Sequence, residues 1–376
     1  MAEVEIGRGR SARRGYRLSD VGIVPSRRTR DVEDVSIAWE IDAFRFELPM
    51  AAHPSDATMS PASIIEVGRL GGLGIFNAEG LWTRYDDPAP IYEQILAAAT
   101  HDDDTNPTAV LQRAYAEPVK PDLITARIKE IQGAGVVTAV RVSPQHTLAL
   151  ADPVLAAGVD LLVIQGTIVS AEHVASHEAA LNLKTFIADL DVPVIVGGCT
   201  NYQTALHLMR TGAAGIIVGI GADTWSTTDE VLGIGVPMAT AIADAASARR
   251  DYLDETGGRY VHVIADGDIE SSGDIARALA CGADAVMLGE PLTLAREAPG
   301  GGAWWQSAGS HPKLPRGECV GRGDDWPAGG LWEVLHGPSD DPDGHLNLFG
   351  AVRRAMAKAG YSDVKEFQRV ELITPY

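Results

Sequence analysis

Eight short apolar, β-branched runs separated by stretches of helical period constrain this chain more than any other feature. They are 49–53 PMAAH, 73–77 LGIFN, 137–143 VTAVRVS, 161–166 LLVIQG, 192–198 VPVIVGG, 214–221 AGIIVGIG, 261–267 VHVIADG and 285–289 AVMLG. Runs with no polar alternation suit parallel strands covered on both faces. Between them, the stretch 122–135 places Ile124, Ile128 and Ile131 on one helical face, with Asp122 as expected N-cap and Gly133 or Gly135 as stop. Similar helices are expected before Gly212 and Gly282. Eight βα units predict a TIM (β/α)8 barrel, with an open doubly wound sheet as runner-up. A barrel of about 250 residues with embellishments accounts for all 376 residues as one domain, 1–376.

Three regions interrupt the alternation. Residues 1–30 hold eight arginines, a basic arm that either embraces an acidic neighbouring subunit or is a solvated extension. Residues 84–121, with the acidic stretch His101 to Asp104, read as an inserted helix and loop. The long irregular stretch 296–347, with Trp304, Trp305, Trp326 and Trp332, reads as an active-site lid, a subunit contact or folded-back packing. The chain carries 31 Lys+Arg against 51 Asp+Glu, a balance of -20, which argues against nucleic-acid and anionic-membrane partners. No apolar run is long enough to span a bilayer, the N-terminus is charged, and the three cysteines are widely spaced. A cytoplasmic protein without a disulfide framework or structural zinc is expected.

In a TIM barrel, catalytic groups come from loops after the strands, and those after strands seven and eight commonly bind phosphate through backbone N–H groups. Here these loops read Ala265-Asp266-Gly267-Asp268-Ile269 and Met287-Leu288-Gly289-Glu290-Pro291. After strand six comes Gly219-Ile220-Gly221-Ala222-Asp223-Thr224-Trp225-Ser226-Thr227-Thr228. Together with LSDVGIVPSRR at 18–28, GRLGGLGIFN at 68–77, AGVDLLVIQG at 157–166 and NLFGAVRRAMAKAGYSDVKEFQ at 347–368, these stretches resemble the IMP dehydrogenase/GMP reductase family. The closer resemblance is to its short IMP dehydrogenase-related branch, because the stretch between strands two and three is too short for a pair of CBS domains.

The resemblance implies a homotetrameric or octameric barrel that binds a purine 5'-monophosphate beside NAD or NADP. It places the substrate at Ser55, Asp56, Thr224, Asp266, Gly267, Gly289 and Glu290, and the cofactor against Gln165. It also implies K+ held by the backbone of Gly219 and Gly221. The family's nucleophilic cysteine falls at Ser226, next to Thr227. A serine hydroxyl needs a positioned base where a thiolate does not, and Trp225, Thr227 and Thr228 supply none. Ordinary conversion of IMP to XMP is therefore expected to be very low, and Ser226 also reads as a hydroxyl satisfying local backbone. A family glycine is replaced by Asp268 and the phosphate-binding serine by Glu290. A carboxylate about 4 Å from phosphate costs roughly 4 kcal/mol at an effective dielectric near 20. Outward rotation, a cation held with Glu270, or Arg316 and Arg322 would relieve it.

Cys199 reads either as a substitute thiolate or as a small structural residue, Cys319 as a weaker version of the same choice, and Cys281 as core filling. His53 reads as an acid or base or as a satisfied polar contact; Trp225 as a base-stacking or a pocket-filling group. Two other functions compete with the oxidoreductase. One is a non-catalytic oligomeric partner, associating with a true IMP dehydrogenase; the other is an enzyme for an unphosphorylated purine-like substrate.

Overall fold

Each apolar run forms a strand, most within a residue or two of the expected bounds, while the sixth, expected over 214–221, ends three residues earlier at Val218. The strands are β1 (Met50–Ala52), β2 (Leu73–Asn77), β3 (Ala139–Val142), β4 (Leu161–Gln165), β5 (Val194–Cys199), β6 (Gly215–Val218), β7 (His262–Asp266) and β8 (Ala285–Leu288). The structure, a computed structural model, describes residues 3–100, 106–173, 181–220, 228–306, 321–322 and 326–374. All eight strands pair in parallel in chain order, and β8 returns to β1 through Val286↔Met50, Met287↔Ala51 and Leu288↔Ala52. The ring is closed, so the open doubly wound alternative is excluded.

Helices cover the outside: α1 (Pro61–Arg69), α2 (Ala89–Thr100), α3 (Pro107–Ala116), α4 (Pro121–Gly133), α5 (Thr147–Ala156), α6 (Leu183–Ala188), α7 (Tyr202–Arg210), α8 (Thr228–Leu232), α9 (Met238–Thr256) and α10 (Ser272–Ala280). Ile124, Ile128 and Ile131 are the buried stripe of α4, but the helix begins earlier than expected. Lys120 is its N-cap and Pro121 its first residue, because proline's fixed φ and missing N–H suit a first turn; Asp122 sits within that turn. The helices expected before Gly212 and Gly282 are α7 and α10. Ser271 caps α10 reciprocally with Asp274.

The strands bury apolar side chains on both faces. Outward residues such as Met50, Val140 and Ile164 lie under the helices, while Ala51, Ile75, Val163, Ile217, Ile264 and Met287 fill the interior. At the N-terminal end, a hairpin of Trp39–Ile41 and Phe44–Phe46 packs Trp39, Ile41 and Phe46 against that interior and plugs it. A ligand is therefore met at the opposite end, where the strand C-termini lie.

The three interrupting regions take definite forms. Residues Glu3–Gly7 and Arg10–Arg13 pair as an exposed hairpin. The insertion contributes two helices, α2 and α3, where one helix and a loop were expected; residues 101–105 lie outside the described residues. The segment after β8 folds back: Trp304 and Trp305 are buried in a cluster with Tyr92, Leu111 and Tyr115 of α2 and α3, and Trp332 is exposed. The chain then forms α11 (Leu331–Leu335), α12 (Leu348–Ala359) and α13 (Val364–Phe367). Among the described residues no helix is long and apolar enough to cross a membrane.

A buried carboxylate ties the C-terminus to the barrel. Asp284 accepts from Arg249 (2.6 Å), Tyr260 (2.7 Å), Lys365 (2.6 Å), Gln368 (3.1 Å) and the Val263 N–H (2.8 Å). Burial opposes its ionisation, but the charges of Arg249, Lys365 and His262 hold it well below the usual carboxylate range. Its contribution is thus present above the unfolded carboxylate value and lost as pH falls through the depressed one. Asp284→Ala leaves Arg249 buried without its carboxylate, and a loss of about 3 to 5 kcal/mol is expected in urea unfolding at neutral pH.

Candidate active site

Interior residues recur every second position, so the residue two beyond the last interior apolar one on each strand forms the next layer. That layer is His53 after Ala51, Asn77 after Ile75, Arg141 after Ala139, Gln165 after Val163, Gly197 after Ile195, Gly219 after Ile217, Asp266 after Ile264 and Gly289 after Met287. The mouth floor thus has five polar side chains and three glycines. With β5 and β6 contributing only Gly197 and Gly219, the Gln165 side chain crosses the barrel and its Nε2 donates to the Asp266 carboxylate at 3.1 Å. A Cβ on Gly219 would lie 1.6 Å from the Asp266 carbonyl oxygen, so only glycine fits there.

On the β6–β8 side the turns are built for close backbone approach. Gly267 has φ +128° and Gly219 φ +142°, and Asp268 is itself left-handed at +57°. Asp268 aims its carboxylate at the N-terminal segment, accepting the Leu18 N–H at 3.3 Å. Burial shifts its pKa upward. One carboxylate oxygen of Asp268 is thus spent on the N-terminal segment.

The β2–β4 side carries charge. Arg141 is buried and donates to Asn77 Oδ1 (3.3 Å), Glu79 Oε2 (3.2 Å) and the Gln165 carbonyl (2.8 Å). Glu79 also accepts the Ser143 N–H, the Ser143 hydroxyl (3.0 Å) and His146 Nδ1. Burial works against the Glu79 anion, but the bond to His146, the Arg141 charge and the Ser143 N–H hold its pKa down at about 2. The same bond to Glu79 raises the His146 pKa against partial burial. The His146 side chain is 53% exposed. With Nδ1 held by a carboxylate, its other nitrogen is left to exchange a proton. Ser143 Oγ and Glu79 both meet the same ring nitrogen, Nδ1. A Ser-His-Glu triad requires opposite nitrogens, so Ser143 is not a nucleophile activated through this ring.

Four buried polar atoms of this floor have no hydrogen-bond partner among the described residues: His53 Nδ1, Asn77 Nδ2, Arg141 Nε and Gln165 Oε1. Unbonded buried polar atoms are costly, and a ligand or water is their natural complement. Burial, with Arg141 nearby, pushes the His53 pKa down to about 3, so this imidazole is neutral. Its ring stands edge-on to Trp304 at 5.5 Å.

The sequence-derived residues divide. Asp266 and Gln165 meet through a hydrogen bond, while Gly267 follows β7 and Gly289 and Glu290 follow β8. Ser55 and Asp56 spend their polar atoms internally. Ser55 donates to the Trp305 carbonyl, and Asp56 accepts from Leu81 N–H (3.1 Å) and the Tyr115 hydroxyl. Burial lifts the Asp56 pKa to about 6, opposed by those two bonds. Gly221, Thr224, Trp225, Ser226, Thr227, Arg316 and Cys319 lie outside the described residues. Cys199 is buried, its thiol directed at the Ile217 carbonyl (3.5 Å) and pushed up by burial to about 12, so it is no substitute thiolate. Cys281, at the end of α10, is pushed up by burial to about 11. Glu79, Arg141, Asn77 and His146 were missed by motif reading, although extending each strand by one period of two finds Asn77 and Arg141.

A family model for the IMP dehydrogenase / GMP reductase domain matches residues 15–321, nearly all of the barrel. The chain belongs to this family. At that level it is an oxidoreductase of the IMP dehydrogenase/GMP reductase type. A crystal structure of an IMP dehydrogenase/GMP reductase-like protein from Corynebacterium glutamicum is 53% identical, with a TM-score of 0.93 over 99% of this chain and 97% of that one. An uncharacterized oxidoreductase of Mycobacterium tuberculosis is 61% identical over 98% of this chain and 99% of its own length. Inosine-5'-monophosphate dehydrogenase of Pasteurella multocida matches less, at 40% identity over 40% of this chain and 28% of that protein.

The charged half of the mouth makes a measurable claim. Glu79→Gln should return the His146 midpoint toward ordinary imidazole in an NMR titration. In the parent, the stabilisation from this pair is complete between the unfolded glutamate and histidine values, and is lost as pH rises through the raised His146 midpoint or falls through the depressed Glu79 value of about 2. The same variant leaves Arg141 buried without its anion and should lower unfolding free energy by about 3 to 5 kcal/mol.

Proposed function

We propose that this barrel is an IMP dehydrogenase-related oxidoreductase that binds a purine 5'-monophosphate at the mouth, with NAD or NADP beside it. The observation that carries this reading is the two-sided floor. Asp266 and the glycine turns at Gly267 and Gly289 offer a carboxylate for ribose hydroxyls and backbone N–H groups for phosphate. The opposite side presents the unbonded atoms of Asn77, Arg141 and Gln165. These donors and the Gln165 acceptor fit a nicotinamide carboxamide or ribose, and Gln165 would hold that group. A bound nicotinamide would accept or supply the hydride. K+ is part of the family expectation, and Gly219 would give one backbone ligand for it.

In this reading Gln165 positions Asp266, and the Glu79–His146 pair handles a proton. Ser226 and Thr227 would occupy the reacting position after β6, and Thr224 would contact phosphate. A serine lacks the thiolate's nucleophilicity, so ordinary IMP to XMP turnover is very low. The assembly is a homotetramer or octamer in the cytoplasm, without nucleic acid or membrane as partner. With one carboxylate oxygen of Asp268 spent on the N-terminal segment, a phosphorylated ligand is favoured over an unphosphorylated one.

Thermal denaturation with IMP, XMP and GMP, against inosine and guanosine at matched concentrations, tests this reading. A nucleotide at 100 times its Kd should stabilise the fold by about 2.7 kcal/mol. The shift should require the 5'-phosphate and disappear in Asp266→Ala. Equal shifts with the nucleosides, or none with any of the five, would overturn it.

A further inference from the structure

The N-terminal hairpin has one face that nothing in its own chain covers. Its register is Glu3↔Arg13, Val4↔Ala12, Glu5↔Ser11 and Gly7↔Arg10, with an irregularity between Glu5 and Gly7. On one face Ser11 donates to Glu3 at 3.0 Å, and Arg13 pairs with Asp244 of α9 at 2.9 Å, rooting the ribbon on the barrel. On the other face stand Val4 and Ala12, with Arg10 at the next alternate position, and Ile6 lies at the irregularity; Val4 is 47% and Ile6 66% exposed. This is the alternation of a half-buried strand, yet every residue from 3 to 14 is exposed. A two-stranded ribbon is marginal in water until its apolar face is packed.

A second uncovered apolar stretch begins beside the root of the first. Residues 232–235, between α8 and α9, are exposed, with Leu232 at 47% and Ile234 at 44%, and Asp229 is exposed nearby on α8. The root lies against the same segment: Gly15 packs on Pro237, and the Tyr16 N–H donates to Thr240 Oγ1 at 2.8 Å. Charge points the same way. Residues 3–14 carry Arg8, Arg10, Arg13 and Arg14 against Glu3 and Glu5, on a chain whose balance is -20. A basic ribbon with an apolar face complements an acidic surface that has an apolar strip, and a second copy of this chain supplies both.

We propose that the hairpin of one chain lies across residues 232–235 of a second copy, with Val4 and Ile6 on Leu232 and Ile234. Each chain carries both a hairpin and an acceptor, so every copy can give its hairpin to one neighbour and receive one in return, in a closed assembly. The acceptor lies in the segment between β6 and α9. The docking does not rest on the proposed function.

Mixing separately purified chains, each with one added cysteine beside its three native ones, tests the contact, because a crosslink between two different chains forms only in trans. Val4→Cys is mixed with Leu232→Cys, and Ile6→Cys with Ile234→Cys, under mild oxidation; the parent chain reports any background from its own cysteines. A two-chain product is expected in each mixture, well above the yield from either variant alone, and light scattering should show a smaller assembly when residues 1–14 are deleted. The crosslink decides. Its absence from both mixtures overturns the proposal whether or not the deletion changes the mass, and a product formed with another protein's surface in place of 232–235 does the same. A thermal midpoint for each variant confirms that it is folded. Failure of every purine nucleotide to bind would count against the proposed function and leave these crosslinks unaffected.

Discussion

Closing eight parallel strands into a ring turns the two-residue side-chain period into a constraint on the whole mouth. Every strand must present one residue to the same layer, and the chain has no freedom to omit one. Here the layer resolves into five polar residues and three glycines. Gln165 reaches Asp266 across the part of the ring where β5 and the turn after β6 contribute only Gly197 and Gly219. A Cβ at Gly197 would meet the Ile217 carbonyl oxygen at 2.4 Å, and one at Gly219 the Asp266 carbonyl oxygen at 1.6 Å, so neither position admits a side chain without moving the adjacent strand.

Charge in that floor is balanced locally. Arg141 could not remain buried without Glu79, and Glu79 is fixed in turn by Ser143 and His146. The protein thus sequesters an ion pair at the place where a ligand arrives. An uncompensated charge there would bind water tightly or relocate, and the geometry of the neighbouring Asn77 and Gln165 amides would be lost with it.

The fold was legible because each strand is a bounded apolar run and each glycine stop follows a helical period; residues 192–198 and 214–221 show both. The glycine turns at 267 and 289, with Asp266, were legible through their order along the chain. Ser55 and Asp56 were harder. The motif sets them after β1, but the groups that engage them, Trp305 and Tyr115, come from remote segments with no periodic signal. Glu79 and His146 escaped for a related reason. Neither lies in a recognisable motif, and their pairing exists only because β2 and β3 are neighbours in the ring. The start of α4 at Pro121 was missed because Asp122 is an equally good cap by residue type alone.

The fold-back of the segment after β8 has a further meaning. Trp304 stands against His53, and the Trp305 carbonyl takes the Ser55 hydroxyl, so the first barrel loop is lined by a segment about 250 residues away in sequence. The first loop cannot drift independently of the last. On that side the width of the mouth is set by aromatic bulk, and related chains that differ around residues 303–305 would accept ligands of different girth while keeping every polar residue of the floor unchanged.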